Sequence, residues 1–436
     1  MDRTEKLHYL ECSIVLELTS PLHIGSGEPD GQSDAGVVRD YNGLPGLPGS
    51  SVKGMLRAAC EEKFGQETTR NIFGYPGEGN SDTGRGGRLW VSWGVIHNTK
   101  NEPVKKHLSS KERDQDLVLR DATRPMLRDH VRLTDRGVAE DRGKFDELSV
   151  NAGHRFTVEL RLATLDGSQE EWKKLHSILC DPLLRMGGKT RRSFGGYEII
   201  KIKTNHPVAC GEKLETDDHK IFDGELSSQT LWMFGGGFSN TADSAPVSGT
   251  RIRWEDLGNK EPVWRGTIEP VWIVPGSSIK GAIAHRTLFH ANRIAGHFID
   301  SPNPEAENQA RGWLDCLFGV IKQDTSESGK IGKVLIEDVF LPKGETCKIA
   351  AVQNHVAINP FTGGARDTAL FNDAPLAPAT IPLKIGLKDK KDLPAEAIQA
   401  LQCAVDDICK GRLSLGAHGG RGYGVFASSL FGCSKS

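Results

Sequence analysis

Along the first strand-like stretch, Leu10, Cys12, Ile14, Leu16 and Leu18 alternate with Glu11, Ser13, Val15, Glu17 and Thr19. An alternation of period two marks a strand with one buried face, as found in antiparallel sheets. The spacing changes after residue 50, where Val52, Met55, Leu56, Ala59 and Cys60 recur at helical intervals. Trp172, Leu175, Ile178 and Leu179 do the same and predict a helix over 170–179. The segments 87–97 and 332–342 are rich in β-branched and aromatic residues and read as strands.

These patterns occur twice, in the same order. Glu17-Leu18-Thr19-Ser20 with Gly25-Ser26-Gly27 is echoed by Glu225-Leu226-Ser227-Ser228 with Gly235-Gly236-Gly237, and an Asp follows each, Asp34 and Asp243. Pro48-Gly49-Ser50-Ser51-Val52-Lys53-Gly54 recurs as Pro275-Gly276-Ser277-Ser278-Ile279-Lys280-Gly281. Phe73-Gly74 matches Phe318-Gly319. The stretch from His130 to Phe145 matches that from His355 to Phe371, both reading as irregular excursions. Finally, Leu184 to Gly195 aligns without a gap on Leu413 to Gly424. Two domains follow, 1–205 and 220–436, joined by a polar linker at 206–219. The unmatched stretches 98–128, 248–268 and the acidic 301–308 loop are insertions expected at the surface.

Within each copy the order is strand, glycine-rich turn, helix, strands, excursion, strand, helix, glycine loop, strand. Helices packed on one antiparallel sheet give an α+β, ferredoxin-like sandwich, an architecture shared with RNA-recognition modules. A length of 436 residues suits two such cores.

Composition narrows the chemistry. The formal charge of -2 excludes a protein that coats nucleic acid through bulk positive charge, so any such surface is local. Basic clusters are present at Lys105 to Arg113, at Arg120, Arg124, Arg128, Arg132 and Arg136, and at Lys189, Arg191 and Arg192. Each is interleaved with or followed by acids, so a solvated mixed-charge surface explains any one of them as well as RNA contact does. Nine cysteines stand singly, without a C-x-x-C pair, as expected of reduced thiols in a cytoplasmic protein without structural zinc. The N-terminus lacks an apolar run of the kind that signal peptides or membrane helices need.

The heptapeptide precedes a helix, so Ser50, Ser51, Lys53 and Arg57, and Ser277, Ser278 and Lys280, stand where a phosphate is favoured by free N–H groups and the helix dipole. A plain helix cap is the competing reading. The motif is not a phosphate-binding Walker loop, because Gly follows each Lys. In the late loops Gly187, Gly188 and Gly416 allow close backbone approach, and Lys189, Arg191, Arg192 and Arg421 add charge. Tight turns explain the glycines but not the cations.

Leu22-His23-Ile24-Gly25-Ser26-Gly27, Asp34 with Val37-Val38-Arg39-Asp40, the heptapeptide and the late glycine loop together resemble the RAMP superfamily. More closely, they resemble the backbone subunits of type III CRISPR effector complexes. The resemblance covers nearly the whole chain in two copies, as in a fused pair of subunits. It implies a palm that holds guide RNA and thumbs, at 120–150 and 354–375 with His355 among their RNA contacts, that wedge between guide and target bases. It also implies that Asp34 lies at the scissile phosphate of target RNA, supporting endonuclease activity with a divalent cation, Mg2+, on Asp34. Asp243 is the second possible site, while Asp30 and Asp40 compete with Asp34, and a turn residue is the alternative role. The implied partners are guide RNA, target RNA, neighbouring RAMP subunits and the large subunit, with no membrane. Two other functions stay open: a non-catalytic guide-RNA scaffold, and a repeat-processing endoribonuclease.

Overall fold

A computed structural model describes residues 7–26, 36–77, 83–133, 139–164, 169–206, 220–235, 242–258, 262–320, 329–344 and 346–428. The chain divides into two units. The first comprises Met1–Thr190, Phe194–Thr216 and Thr250–Glu269, and the second Arg191–Ser193, Asp217–Gly249 and Pro270–Ser436. Residues 207–219, most of the expected linker, lie outside the described residues.

The first unit begins with β1 (His8–Leu18), α1 (Gly49–Phe73), the paired β2 (Gly74–Tyr75) and β3 (Arg85–Gly86), β4 (Leu89–Val91) and β5 (Val95–Ile96). It continues through α2 (Ser110–Gln115), α3 (Leu117–Ala122), the ribbon β6 (Met126–Leu133) and β7 (Ala139–Ser149), β8 (Arg155–Thr164), α4 (Glu170–Leu179) and β9 (Tyr197–Thr204). The main sheet runs β4-β8-β1-β9, all antiparallel, with β5 also on β8. Counted along a βαββαβ chain, that order is second, third, first, fourth, the ferredoxin-like arrangement. The alternation in β1 buries Leu10, Cys12, Ile14, Leu16 and Leu18. Against them pack Val52, Leu56 and Cys60 of α1 and Trp172, Leu175, Ile178 and Leu179 of α4. Each such side chain contributes about 1.5–3 kcal/mol of burial. Helix α1 breaks at Gly65, where φ is 79°. A Cβ there would meet nothing within 4 Å, so the backbone conformation, not space, calls for glycine.

The second unit repeats the plan. It contains β10 (Lys220–Ser228), α5 (Gly276–Ala295), α6 (Pro304–Phe318) and the paired β13 (Gly319–Val320) and β14 (Lys330–Ile331); between β10 and α5 come β11 (Ser248–Asp256) and β12 (Trp264–Val274), whose residues 250–269 count with the first unit. Then follow β15 (Val334–Ile336), β16 (Val339–Pro342), the ribbon β17 (Gln353–Ile358) and β18 (Ala365–Asp373), β19 (Thr380–Leu387), α7 (Ala395–Cys409) and β20 (Phe426–Ala427). Its sheet order, β15-β19-β10-β20, is the same second, third, first, fourth. Phe222 and Leu226 of β10, Ile279 and Ile283 of α5, and Leu401, Val405 and Ile408 of α7 share its core.

Three expectations change. The excursions are not irregular: β6–β7 and β17–β18 are antiparallel two-stranded ribbons, each with a register shift, and they fall in the stretches expected to be thumbs. The 301–308 stretch is not a loop throughout. Asn303 accepts from the N–H groups of Glu305 and Ala306, and α6 starts at Pro304, so the acids sit in a helix's first turn where its dipole favours them. The insertions also reach beneath the surface. Val118, Leu119 and Ala122 of α3 are buried, and so is Ile252 of Thr250–Glu269, the segment counted with the first unit. In that segment Ile252 N–H donates to the Ala152 carbonyl, and Thr250 Oγ1 donates to Asp121. Trp254 and Trp264 lie 4.4 and 4.6 Å from the Arg155 guanidinium.

Candidate nucleic-acid interface

The two heptapeptides start their helices in different electrostatic settings. At α1, Pro48 is the N-cap residue with no side-chain cap, and no acid stands in the first turn. Gly49 is required there because a Cβ would run into the Val91 and Ser92 carbonyls. Ser50 is exposed, while Ser51, Lys53 and Arg57 are half-buried. Burial, and secondarily Arg57, lowers the Lys53 pKa.

At α5 the Gly276 N–H donates to Asp338 Oδ1 at 2.8 Å. The helix start therefore carries the chain's own anion. Lys280 turns inward and its Nζ donates to the Val334 carbonyl at 2.7 Å. Burial, with the nearby Arg191 charge, pushes its pKa down to about 8. Ser278 remains exposed and Ser277 half-buried. In the repeat's alignment Trp93 stands where Asp338 does, so the first copy has no counterpart of this acid.

The late loops are two castings of one backbone. Positive φ occurs at Gly187, Lys189, Ser193 and Gly195, and again at Gly416, His418, Gly422 and Gly424, each exactly matched in the gapless alignment. Gly195 N–H donates to the Pro21 carbonyl and Gly188 N–H to that of His23; Gly424 N–H donates to Leu231 and Ala417 N–H to Met233. A Cβ on Gly187 would strike the His23 carbonyl, and one on Gly416 that of Met233. Close backbone packing thus accounts for these glycines, while Gly188 is exposed. The cations have protein contacts: Lys189 with Glu147, Arg191 with the Val320 and Lys330 carbonyls, and Arg421 with His418. Arg192 is half-buried.

His355 lies on β17, stacked on Phe371 at 5.0 Å, with Nε2 2.9 Å from Asp373 Oδ2. Its counterpart His130 stacks on Phe145 at 5.2 Å beside Glu147. Neither Glu147 nor Asp373 was singled out from sequence. The signal was there: each acid follows the aromatic by two residues and so shares its strand face.

Of the acids, Asp34 and Asp30 lie outside the described residues, as do Arg136 and the Arg132 side chain. Asp40 is a turn residue, its Oδ1 accepting from the N–H groups of Asn42 and Leu44. Asp243 is exposed; its N–H donates to Asn372 Oδ1 and its Oδ2 accepts from the Asn372 N–H, at 2.8 and 2.9 Å. Among the described residues no group of three or more His, Cys, Asp or Glu side chains is placed to hold a metal ion. Asp243 by itself does not make a metal cage. No helix among the described residues is long and apolar enough to cross a membrane.

A family model described as the RAMP superfamily matches residues 15–198 and 225–427. No curated protein matches the sequence. Among solved structures, the cryo-EM structure of the Type III-B Cmr-beta bound to cognate target RNA is similar, with 19% identity and a TM-score of 0.32. The match covers 45% of this chain and 60% of that one, less than two thirds of its length.

Proposed function

The chain belongs to the RAMP superfamily, and from that premise we propose that it is a double backbone subunit of a type III CRISPR RNA-guided effector complex. Each repeat grips guide RNA, and the first cuts complementary target RNA at Asp34. The observation that carries this reading is the recurrence, on two ferredoxin-like units, of a serine-bearing helix start, a thumb ribbon and a glycine loop in one order. The partners are guide RNA, target RNA, neighbouring RAMP subunits and the large subunit.

RNA carries its own nucleophile, so one carboxylate suffices to assist cleavage. Asp34 takes part in proton transfer from the 2′-hydroxyl, while the thumb holds the nucleotide in line with its leaving group. In the alternative role Asp34 would hold a divalent cation such as Mg2+, which would supply polarisation of the phosphate.

The second repeat favours a different role. The Asp243 carboxylate already accepts from Asn372, which supports the scaffold reading there. The test is cleavage of a guide-complementary RNA by the assembled complex. Asp34→Ala is expected to abolish cutting at one position and Asp243→Ala to leave all positions cut, and unchanged cutting by the Asp34→Ala complex would eliminate Asp34 as catalytic. Rapid processing of repeat RNA by the protein alone would replace the reading with a repeat-processing one.

A further inference from the structure

The two thumbs differ in sequence, yet their bases share one constellation. In the first unit Glu147 is 1% exposed and its Oε1 lies 2.9 Å from Lys189 Nζ, in the glycine loop. Arg128 of the same thumb lies over Phe194 of that loop, 5.6 Å from the ring centre. In the second unit Asp373 is fully buried. Its Oδ2 lies 2.9 Å from His355 Nε2 on the thumb, and 3.6 and 3.7 Å from His418 Nε2 and Arg421 Nη1 in the glycine loop. Tyr423 OH, also from the loop, donates to its Oδ1 at 3.3 Å. Arg421 in turn stacks on Phe371 of the thumb, 4.4 Å from the ring centre.

A carboxylate withdrawn from water needs donors and cations around it. In the second copy they come from two separate elements, thumb and loop; in the first, the loop's Lys189 is joined by the thumb's His130, whose Nε2 lies 3.8 Å from Glu147 Oε2. Lys189 and His418 occupy equivalent places and share a left-handed backbone, with φ of 60° and 63°. Side chains other than glycine rarely take that conformation, and persist in it where their surroundings hold them. The ribbons beyond the base are only two strands wide, a form with little stability of its own, so their direction is set at this junction.

We infer that Glu147 and Asp373 are positioning residues that fasten each thumb to the glycine loop of its own repeat, so that RNA held by one element fixes the other. The inference deepens the RNA-gripping role above, and its RNA half rests on that role.

The experiment is hydrogen exchange on the full chain, free and with a single-stranded guide-type RNA, for the wild type, Asp373→Asn and Asp373→Glu. The first repeat uses Glu at this place, so the Glu variant is the conservative rescue. In the free protein Asp373→Asn is expected to speed exchange about tenfold in both 365–373 and 413–424, leaving β10 and β19 unchanged. RNA affinity is expected to fall about tenfold, a usual size for coupling between sites, with Asp373→Glu recovering most of it. Faster exchange throughout β10 and β19 would mean a merely structural carboxylate and would overturn the inference. So would unchanged exchange in either segment, or unchanged RNA affinity of Asp373→Asn. A wild type that binds no RNA defeats the RNA-gripping role itself, while the free-protein exchange still decides whether the carboxylate fastens thumb to loop. Should Asp373→Asn fail to fold, Glu147→Gln makes the same comparison over 126–133 and 184–195.

Discussion

The backbone N–H of Gly276 donates to Asp338 Oδ1 at 2.8 Å, and Asp338 is 7% exposed. A carboxylate there stands where a bound phosphate would, at the positive end of α5. The two heptapeptides, alike in sequence, are therefore unlike in readiness for an anion. Replacing Ser50 and Ser51 together with Ala is expected to weaken RNA binding more than about tenfold, the scale of a hydrogen bond to a charged group, about 1.5–3 kcal/mol. Replacing Ser277 and Ser278 is expected to change it less than about twofold. Filter binding at one fixed salt concentration measures both.

Asp338→Ala is expected to cost about 1–2 kcal/mol, because a buried N–H loses its acceptor and the helix loses a favourable charge. Denaturant midpoints of the two proteins give the difference.

Lys280 sets a pH dependence. Its folded pKa of about 8 lies below the ordinary 10.5, so the unfolded chain binds more protons between those values. Stability from this group therefore rises as pH climbs from about 8 to 10.5, and the burden of holding the ammonium inside is present below that window. Against Lys280→Met, the wild type is expected to gain up to about 3 kcal/mol between pH 7 and 10.5. The paired denaturation curves at the two pH values test the sign.

Arg155 is 3% exposed between two indoles, with its Nε 2.7 Å from Glu17 Oε2. Arg155→Ala leaves Glu17 without its hydrogen-bonded cation, an expected loss of about 3–5 kcal/mol. Arg155→Lys recovers less than half, since an ammonium stacks poorly on two flat rings. Burial already raises the Glu17 pKa against the opposing pull of Arg155, so the Ala variant raises it further. A raised carboxylate favours folding when protonated, and the deficit is expected to be smaller at pH 5 than at pH 7. Thermal melts at both values check it.

Much of the fold was legible because alternation and helical spacing report which face is buried. The period-two pattern of β1 and the apolar stripe of α4 appear in the core as read. Duplication supplied the strand order's two copies. What stayed hidden were contacts between residues far apart in sequence. Nothing near Gly276 announces Asp338, 62 residues later, and nothing near Lys280 announces the Val334 carbonyl. The glycine loops suggested backbone approach to a ligand, and much of that approach is to the chain's own carbonyls at 21–23 and 231–233. The thumbs read as irregular because the more buried face of each ribbon carries polar residues, Arg128, His130 and Glu147 in the first and His355 and Asp373 in the second, so no apolar alternation marks it.

The central claim is that both repeats hold guide RNA. Ultraviolet crosslinking of guide RNA in the reconstituted complex, mapped to residues by mass spectrometry, tests it most directly. The account expects crosslinks in each repeat, at the first helix start and its loop, 50–57 and 187–192, and at the second repeat's thumb and loop, 353–373 and 416–421. Crosslinks confined to one repeat, or absent from both, would contradict it.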